Sequence, residues 1–398
     1  MNKFGLKLAF VGVVLAKSLF AAPLLEKTDL FVAGEAGYVI YRIPGVVVTA
    51  KGTILAYCEA RKSGRSDWAT MDVLLRRSED GGKTWGASDV ISSVAGEIRE
   101  NPVAVSRGQG SGGPTYNNPT AVVARDGVIH FFYCLEYMRS FYIRSKDDGR
   151  TWSAPIEVTE VFDRFRPEYN WKILSTGPGH GIELANGRIL IAARLATGDQ
   201  PNNGLRPTAV VTIFSDDQGL TWQRGAIAIV NSQTVVNPNE PLVVQLADGS
   251  VMLNARNETS HRRRVVVTSP DGATNWSKPR FDPALIDSGN MAALARLTQR
   301  PPDDRNRILF ANTHHPSARE NLSVKMSLDE GQTWPVDKVL ERGRSAYCDL
   351  AVLPDGAMLC FYERGSDDGQ ELYGRLTMAR FNLEWLTDGA ERTMPRGR

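Results

Sequence analysis

Arg42, Arg61 and Asp67 stand near the start of the chain, in YRIPGVVVT and CEARKSGRSDW, with Arg61 nineteen positions after Arg42 and Asp67 six after Arg61. A guanidinium is planar and permanently charged, and its paired N–H groups match the two oxygens of a carboxylate. Such a segment suits an anionic substrate. A carboxyl group in a loop beside these arginines can pass a proton to or from a reacting oxygen, or it can simply close a turn in solvent. One arginine or aspartate on its own is most often a solvated surface charge. The chemistry therefore depends on a scaffold that brings distant groups together.

That scaffold is written as a repeat. Ser-x-Asp-x-Gly-x-Thr-Trp occurs as SEDGGKTW from Ser78, SKDDGRTW from Ser145, SDDQGLTW from Ser215 and SLDEGQTW from Ser327, with a degraded copy, SPDGATNW, from Ser269. In chain order the copies start 67, 70, 54 and 58 residues apart. A supersecondary unit copied at such a period implies a propeller, a solenoid or an array. Within each box the Asp can bond the backbone two residues on, the Gly supplies a positive φ, and Thr-Trp opens the next strand. Short β-rich runs (VLLRR, FYIR, VVTIF, RVVVT and LSVKM) lead into the five copies. One four-stranded antiparallel sheet fits each repeat, so the expected fold is all-β, a β-propeller. The tail from Ala346 to Leu386 holds more strand-like runs, with a hairpin at Pro354-Asp355-Gly356, enough for a blade without a box. A strand near Leu30–Gly34 is expected to pair with that blade and leave no sheet edge open. Six blades are expected.

The first 22 residues follow the plan of a signal peptide. Lys3 and Lys7 precede an apolar run from Leu8 to Ala16, and SLFAA places cleavage after Ala21 or Ala22. Residues 23–398 are then the single expected domain, exported to the periplasm or the exterior. The apolar run is too short to span a bilayer, and no membrane insertion is expected. Cleavage removes Lys3, Lys7 and Lys17 and takes the formal charge from +2 to about −1. Nothing in that balance argues for a nucleic-acid partner. Cys58, Cys134, Cys348 and Cys360 lie in apolar runs without metal-ligand spacing, so buried thiols are expected rather than a Cys58–Cys360 bridge. His314 and His315 are adjacent and face opposite ways on a strand. No metal and no cofactor are expected.

Arg-Ile-Pro near the N-terminus, followed by several Asp boxes, resembles the bacterial-type sialidase (neuraminidase) family, over essentially all of residues 23–398. The resemblance implies a six-bladed propeller and an exo-α-sialidase that hydrolyses terminal sialic acid from sialylated glycans or glycoproteins, mucin-type included, with retention. Three family arginines hold the carboxylate on the sugar's anomeric carbon. They match Arg42, then Arg256, sixteen residues after Glu240 in NEPLVVQLADGSVMLNARN, and Arg319 in ARENLSVKMSLDEGQTW. Sialidases depart from two-carboxylate glycosidases in using a tyrosine nucleophile, which matches Tyr347 in RSAYCDLAVL. A phenol with an ordinary pKa near 10 needs a base to attack, and Glu240 matches that base. Asp67 matches the acid/base residue, ahead of Asp72, which falls in the strand leading to the first box. Glu59 and Arg61 match groups near the ring's 4-hydroxyl, and Glu363 in CFYERG matches a Glu that orients the first arginine.

Asn117, Asn118 and Trp68 are candidates for an N-acyl pocket, and the PGHGI stretch at His180 is loop-like. Arg262, Arg263 and Arg264, close behind Arg256, read as surface charge. Two alternatives stay open. One is an intramolecular trans-sialidase, in which another acceptor replaces water. The other is a non-catalytic glycan-binding propeller that keeps the boxes as scaffold.

Overall fold

The structure, a computed structural model, describes residues 22–392, so the signal-peptide reading lies, apart from Ala22, outside the described residues. Strands consecutive in sequence pair antiparallel. Ile40–Val48, Ile54–Arg61, Met71–Ser78 and Asp89–Val90 form the first sheet. The second holds Tyr116–Val123, Ile129–Leu135, Arg139–Ser145 and Ile156–Glu157, with Gly179–His180 added in parallel to its innermost strand. Ile173–Thr176, Ile189–Ala196, Thr208–Ser215 and Gln223–Val230 build the third, with the short Ile182–Glu183 pairing off Ile189–Ala196. Asn239–Gln245, Val251–Arg256, Arg263–Ser269 and Arg280–Ile286 build the fourth.

The remaining strands depart from the expectation of six separate four-stranded sheets. Hydrogen bonding joins them into one seven-stranded sheet, giving five sheets among the described residues. The cause is the 17-residue strand Val336–Val352. Its first half pairs with Glu320–Ser327 and its second half with Met358–Arg364, with no loop between them. Packing still divides this sheet. An apolar cluster with Ala293, Leu309 and Met326 on one side and Leu350, Cys360 and Phe381 on the other fills the space between its two halves. Five further clusters lie between successive sheets, the last joining Leu359, Phe361 and Met378 to Tyr41, Val46 and Ala56 of the first. The architecture is an all-β propeller. Leu25–Val32 pairs with Arg375–Phe381, from Leu25↔Phe381 to Val32↔Arg375, and so closes the ring, beginning a few residues earlier than the sequence suggested.

The boxes do what their residues dictate. Asp147 Oδ1 accepts from Ser145 Oγ at 2.8 Å and Thr151 N at 2.9 Å, while its Oδ2 accepts from Thr151 Oγ1 at 2.6 Å. Asp80, Asp217 and Asp329 repeat the pattern. Gly149 takes φ 76°, the left-handed turn that glycine adopts without strain. The box tryptophans pack inward; the ring of Trp222 meets Phe132 of the neighbouring sheet edge-on at 4.7 Å. In the first sheet Ser78, which opens a box, pairs with Ile54, while Arg61 pairs with Met71 at the other end. Boxes and candidate chemistry therefore occupy opposite faces of the propeller.

The four cysteines are buried and free. One surface-charge reading is corrected: Arg262 and Arg263 are exposed or half-buried, but Arg264 is fully enclosed, donating from Nε to Asn254 Oδ1 at 2.7 Å. Strand alternation turns it toward the interior.

Candidate active site

The strand ends opposite the boxes are irregular in a concerted way. Pairing registers shift at Arg42/Gly45, Asn117/Thr120, Asn239/Pro241 and Ser345/Cys348, at the same end of four innermost strands. Ile43, Asn118 and Glu240 sit within these shifts with φ of 57°, 48° and 42°. A bulge leaves a residue unpaired and re-aims its side chain. Left-handed backbone at an isoleucine or a glutamate is held only where the surroundings enforce it. All three residues, with Tyr347, line one small cavity.

Glu363 is the enforcing group on one side. It is fully buried and accepts from Arg42 Nε at 2.7 Å, Arg42 Nη2 at 3.3 Å, Ile43 N at 3.1 Å and Tyr347 N at 3.2 Å. One carboxylate thus fixes the first candidate arginine, its bulge and the backbone of the candidate nucleophile. Burying this charge is tolerable only because it is paired and fully hydrogen-bonded.

Tyr347 donates its phenolic O–H to Glu240 Oε1. Arg256 Nη1 contacts both Glu240 oxygens at 3.0 Å and Tyr347 Oη at 3.2 Å. Burial, then the charge of Glu240, push the Tyr347 phenol well above its ordinary pKa. Burial alone would raise Glu240 as well, but Arg256 and the Tyr347 hydrogen bond outweigh it and hold this carboxyl below the usual range. In the free protein the proton therefore rests on tyrosine, with a charged acceptor already in contact. Arg319 donates to Tyr373 Oη and to Gly289 O, both at 2.7 Å. Its guanidinium carbon stands 5.3 Å from the Tyr347 ring centre, and that of Arg42 stands 4.9 Å away. Among the described residues no carboxylate forms an ion pair with Arg319.

Asp67 sits on a loop with its side chain 47% exposed, and its Oδ1 lies 2.9 Å from Arg61 Nη2. Desolvation would raise its pKa, but Arg61 and then Arg42 hold it below the ordinary value. Glu59 and Arg61 are brought to the site but not to its surface. Both are fully enclosed, paired at 2.8 Å, with Glu59 also accepting from Asn118 N at 2.8 Å. In this arrangement they position Asp67 and a bulge rather than line the pocket.

A cavity of about 450 Å³ opens over these groups, walled by Arg42, Asp67, Glu240, Arg256, Arg319 and Tyr347. Six residues separated by up to 305 positions in the chain thus converge on one space. Tyr373 and Arg194, also in its wall, were missed from the sequence. Neither lies in a box nor carries a recognisable spacing, so no signal marks them. Of the N-acyl candidates, Asn118 lines the inner cavity and Trp68 an adjoining outer one, whereas Asn117 is fully buried and donates to Thr115 O. His180 lies elsewhere, paired with Asp349 at 2.7 Å beside a second cavity of about 370 Å³ on the box side of the channel. Among the described residues no cluster of His, Cys, Asp and Glu could hold a metal.

Residues 99–360 match a model described as a BNR repeat-like domain. A sialidase of Micromonospora viridifaciens is 31% identical over 92% of this chain and 55% of its own length. A sialidase of Bacteroides fragilis is 28% identical over 83% of this chain and 61% of its own length. The chain thus spans little more than half the length of these relatives. Among solved structures, a Hadza microbial sialidase superposes with TM-score 0.72 at 24% identity, covering 90% of this chain and 69% of that one. An intramolecular trans-sialidase from Ruminococcus gnavus gives TM-score 0.72 at 18% identity, covering 90% of this chain and 98% of its own. At such identities the structures speak to the fold alone.

Proposed function

The chain belongs to the sialidase family, and from that premise we propose that it is a retaining exo-α-sialidase acting on terminal sialic acids of sialylated glycans. The observation that carries the mechanism is the contact of the Tyr347 phenol with Glu240, itself braced by Arg256. Arg42, Arg256 and Arg319 hold the sugar carboxylate. Arg319, which has no carboxylate partner among the described residues, gains the substrate's. The clamp sets the anomeric carbon over Tyr347 Oη. As that oxygen attacks, Glu240 takes its proton, so a phenol with a high pKa needs no prior ionisation. Fixed guanidinium groups stabilise the charge redistribution of the transition state.

Asp67 gives a proton to the departing oxygen and then takes one from water. The substrate's carboxylate supports this role: it offsets the positive field of Arg42 that holds Asp67 low in the free protein. Glu363, Glu59 and Arg61 act through the groups they position.

The same reading counts the seven-stranded sheet as two blades, six in total, because an apolar core separates its halves as cores separate the other sheets. It also includes export of the chain after cleavage near Ala21 or Ala22, which N-terminal sequencing of the mature protein tests.

The decisive experiment combines turnover of a 4-methylumbelliferyl α-sialoside with mass mapping after incubation with a 2,3-difluorosialic acid. A sugar adduct on Tyr347, with the α-anomer as first product, supports the mechanism. An adduct elsewhere, or β-anomer first, overturns it. Release of an anhydro sugar in place of free sialic acid points to the trans-sialidase outcome.

A further inference from the structure

Six guanidinium groups wall the main pocket, and five have evident partners. Arg42 has Glu363, Arg256 has Glu240, Arg65 has Glu371 and Arg206 has Glu258, while Arg319 is braced by Tyr373 and Gly289. Arg194 is the exception. It comes from the Ile189–Ala196 strand of the third sheet and is only 6% exposed. Its Nη2 donates to Ser175 Oγ at 2.6 Å; its Nε, like that of Arg256, is buried without an acceptor, but unlike Arg256 it has no carboxylate in an ion pair among the described residues. Burial, with Arg206 nearby, lowers its pKa, the sign of a cation short of negative partners.

Arg194 also walls the inner cavity of about 40 Å³, with Asn118, Tyr137, Ser175, Glu240 and Tyr347. The carboxylate clamp and Tyr373 do not border that space; Arg42, Arg256 and Arg319 meet only the larger pocket. Asp67, Arg194, Glu240 and Tyr347 border both spaces, so the inner cavity adjoins the pocket on a side that the clamp arginines do not line. In the six-membered ring of a nonulosonic acid, the carboxylate-bearing carbon 2 stands opposite carbon 5. With the carboxylate in the clamp, the carbon-5 substituent faces Arg194.

Resting on the sialidase reading, we propose that Arg194 is a specificity-determining residue that selects a sialic acid bearing a hydroxyl on carbon 5, the deaminated form, over the 5-N-acetyl form. A hydroxyl presents acceptor lone pairs to the unpaired Nε–H and fits a space of this size. An acetamido group presents an N–H donor toward a cation and a methyl group that needs a dry apolar pocket. A site built around a buried donor discriminates strongly against ligands that leave that donor unpaired.

The test measures kcat/KM on the 4-methylumbelliferyl α-glycosides of the two sugars, for wild type, Arg194→Ala and Arg194→Lys, with thermal unfolding as the folding control. Wild type is expected to favour the 5-hydroxy substrate by about tenfold or more. Arg194→Ala should bring the ratio near one, mainly by losing the 5-hydroxy substrate, and Arg194→Lys should keep part of the preference. Inhibition of wild type by the two 2,3-didehydro acids should show the same order, independent of any variant's folding. Equal or better use of the N-acetyl substrate by wild type overturns the proposal. So does a preference that persists in folded Arg194→Ala. Turnover of neither sugar defeats the sialidase reading itself, and this proposal with it.

Discussion

The two faces of the propeller use aspartate and glutamate in opposite ways. On the box face the third-position aspartates, Asp80, Asp147, Asp217 and Asp329, are satisfied locally and at the surface, by hydroxyl and backbone N–H groups within five residues of themselves. Those donors hold Asp147 well below its ordinary pKa with no cation in contact. On the other face carboxylates also reach remote parts of the chain: Glu363 accepts from Arg42, 321 residues away, Glu240 from Tyr347, 107 away, and Glu59, besides its neighbour Arg61, from Asn118 N, 59 away. Local satisfaction makes a unit that can be copied. Remote satisfaction makes a unique place, and there left-handed backbone falls even on an isoleucine, Ile43, whereas in the boxes it falls on turn residues such as Asp148, Gln218 and Glu330.

The sharpest way to break this comparison is Tyr347→Phe. It leaves the clamp in place, so turnover of the methylumbelliferyl substrate should fall by about a thousandfold or more. The affinity for a 2,3-didehydro sialic acid, measured by calorimetry, should stay within a few-fold. Near-normal turnover would remove the nucleophile from the scheme.

Glu363→Ala comes next. Leaving Arg42 buried beside an empty space should destabilise the fold by about 3–5 kcal/mol, read by urea titration, and kcat/KM should drop with it. A loss of activity with unchanged stability would mean that Glu363 acts on substrate directly.

Asp67→Ala separates leaving groups. On a natural oligosaccharide the loss should be about a hundredfold or more, and distinctly smaller on the methylumbelliferyl substrate, which needs little protonation. Asp67 must be protonated to act as acid yet is held low, whereas Glu240, also held low, stays ionised into mild acid. The wild-type rate on oligosaccharide should therefore peak on the acid side of neutrality and fall as pH rises to 8. An alkaline optimum would exclude Asp67 as the acid.

The smallest effect belongs to the box face. Asp329→Ala should lower the melting temperature by about 2–4 °C and leave kcat/KM within about twofold. The box carboxylate is held below its ordinary value, so its contribution is full above the unfolded pKa near 4 and lost as pH falls through the lower folded value. The gap between variant and wild type should therefore narrow in acid.

Legibility in the sequence followed the same division. The boxes announce themselves because identical local hydrogen bonds demand identical residues at identical offsets. That was enough for the all-β propeller. Arg42, Asp67, Glu240, Arg256, Arg319 and Tyr347 share no local pattern, and only resemblance to a family placed them in one set before the strands brought them together. Tyr373 and Arg194 belong to neither the repeat nor that set, and as lone residues they carry no mark. The merging of two expected sheets was hidden because nothing in ERGRS distinguishes a loop from a continuous strand. Arg264 was lost in a run of three arginines, although period-two alternation within RRVVVT already divides the run between two faces.

The pairing of Leu25–Val32 with Arg375–Phe381 also sets a clock. A ribosome releases this chain from its first residue to its last, and the early sheets can assemble on contacts close in sequence. The final blade must wait for its last strand, and it carries Glu363 and Tyr347. Until then Arg42 lacks its counter-ion, Glu363, and the Tyr347 and Tyr373 rings that cover it. Assembly of the catalytic face is thus a late event in synthesis, dependent on the contacts of highest order and slowest closure. A chain stalled before Arg375 has all its boxes and no Leu25–Val32 pairing.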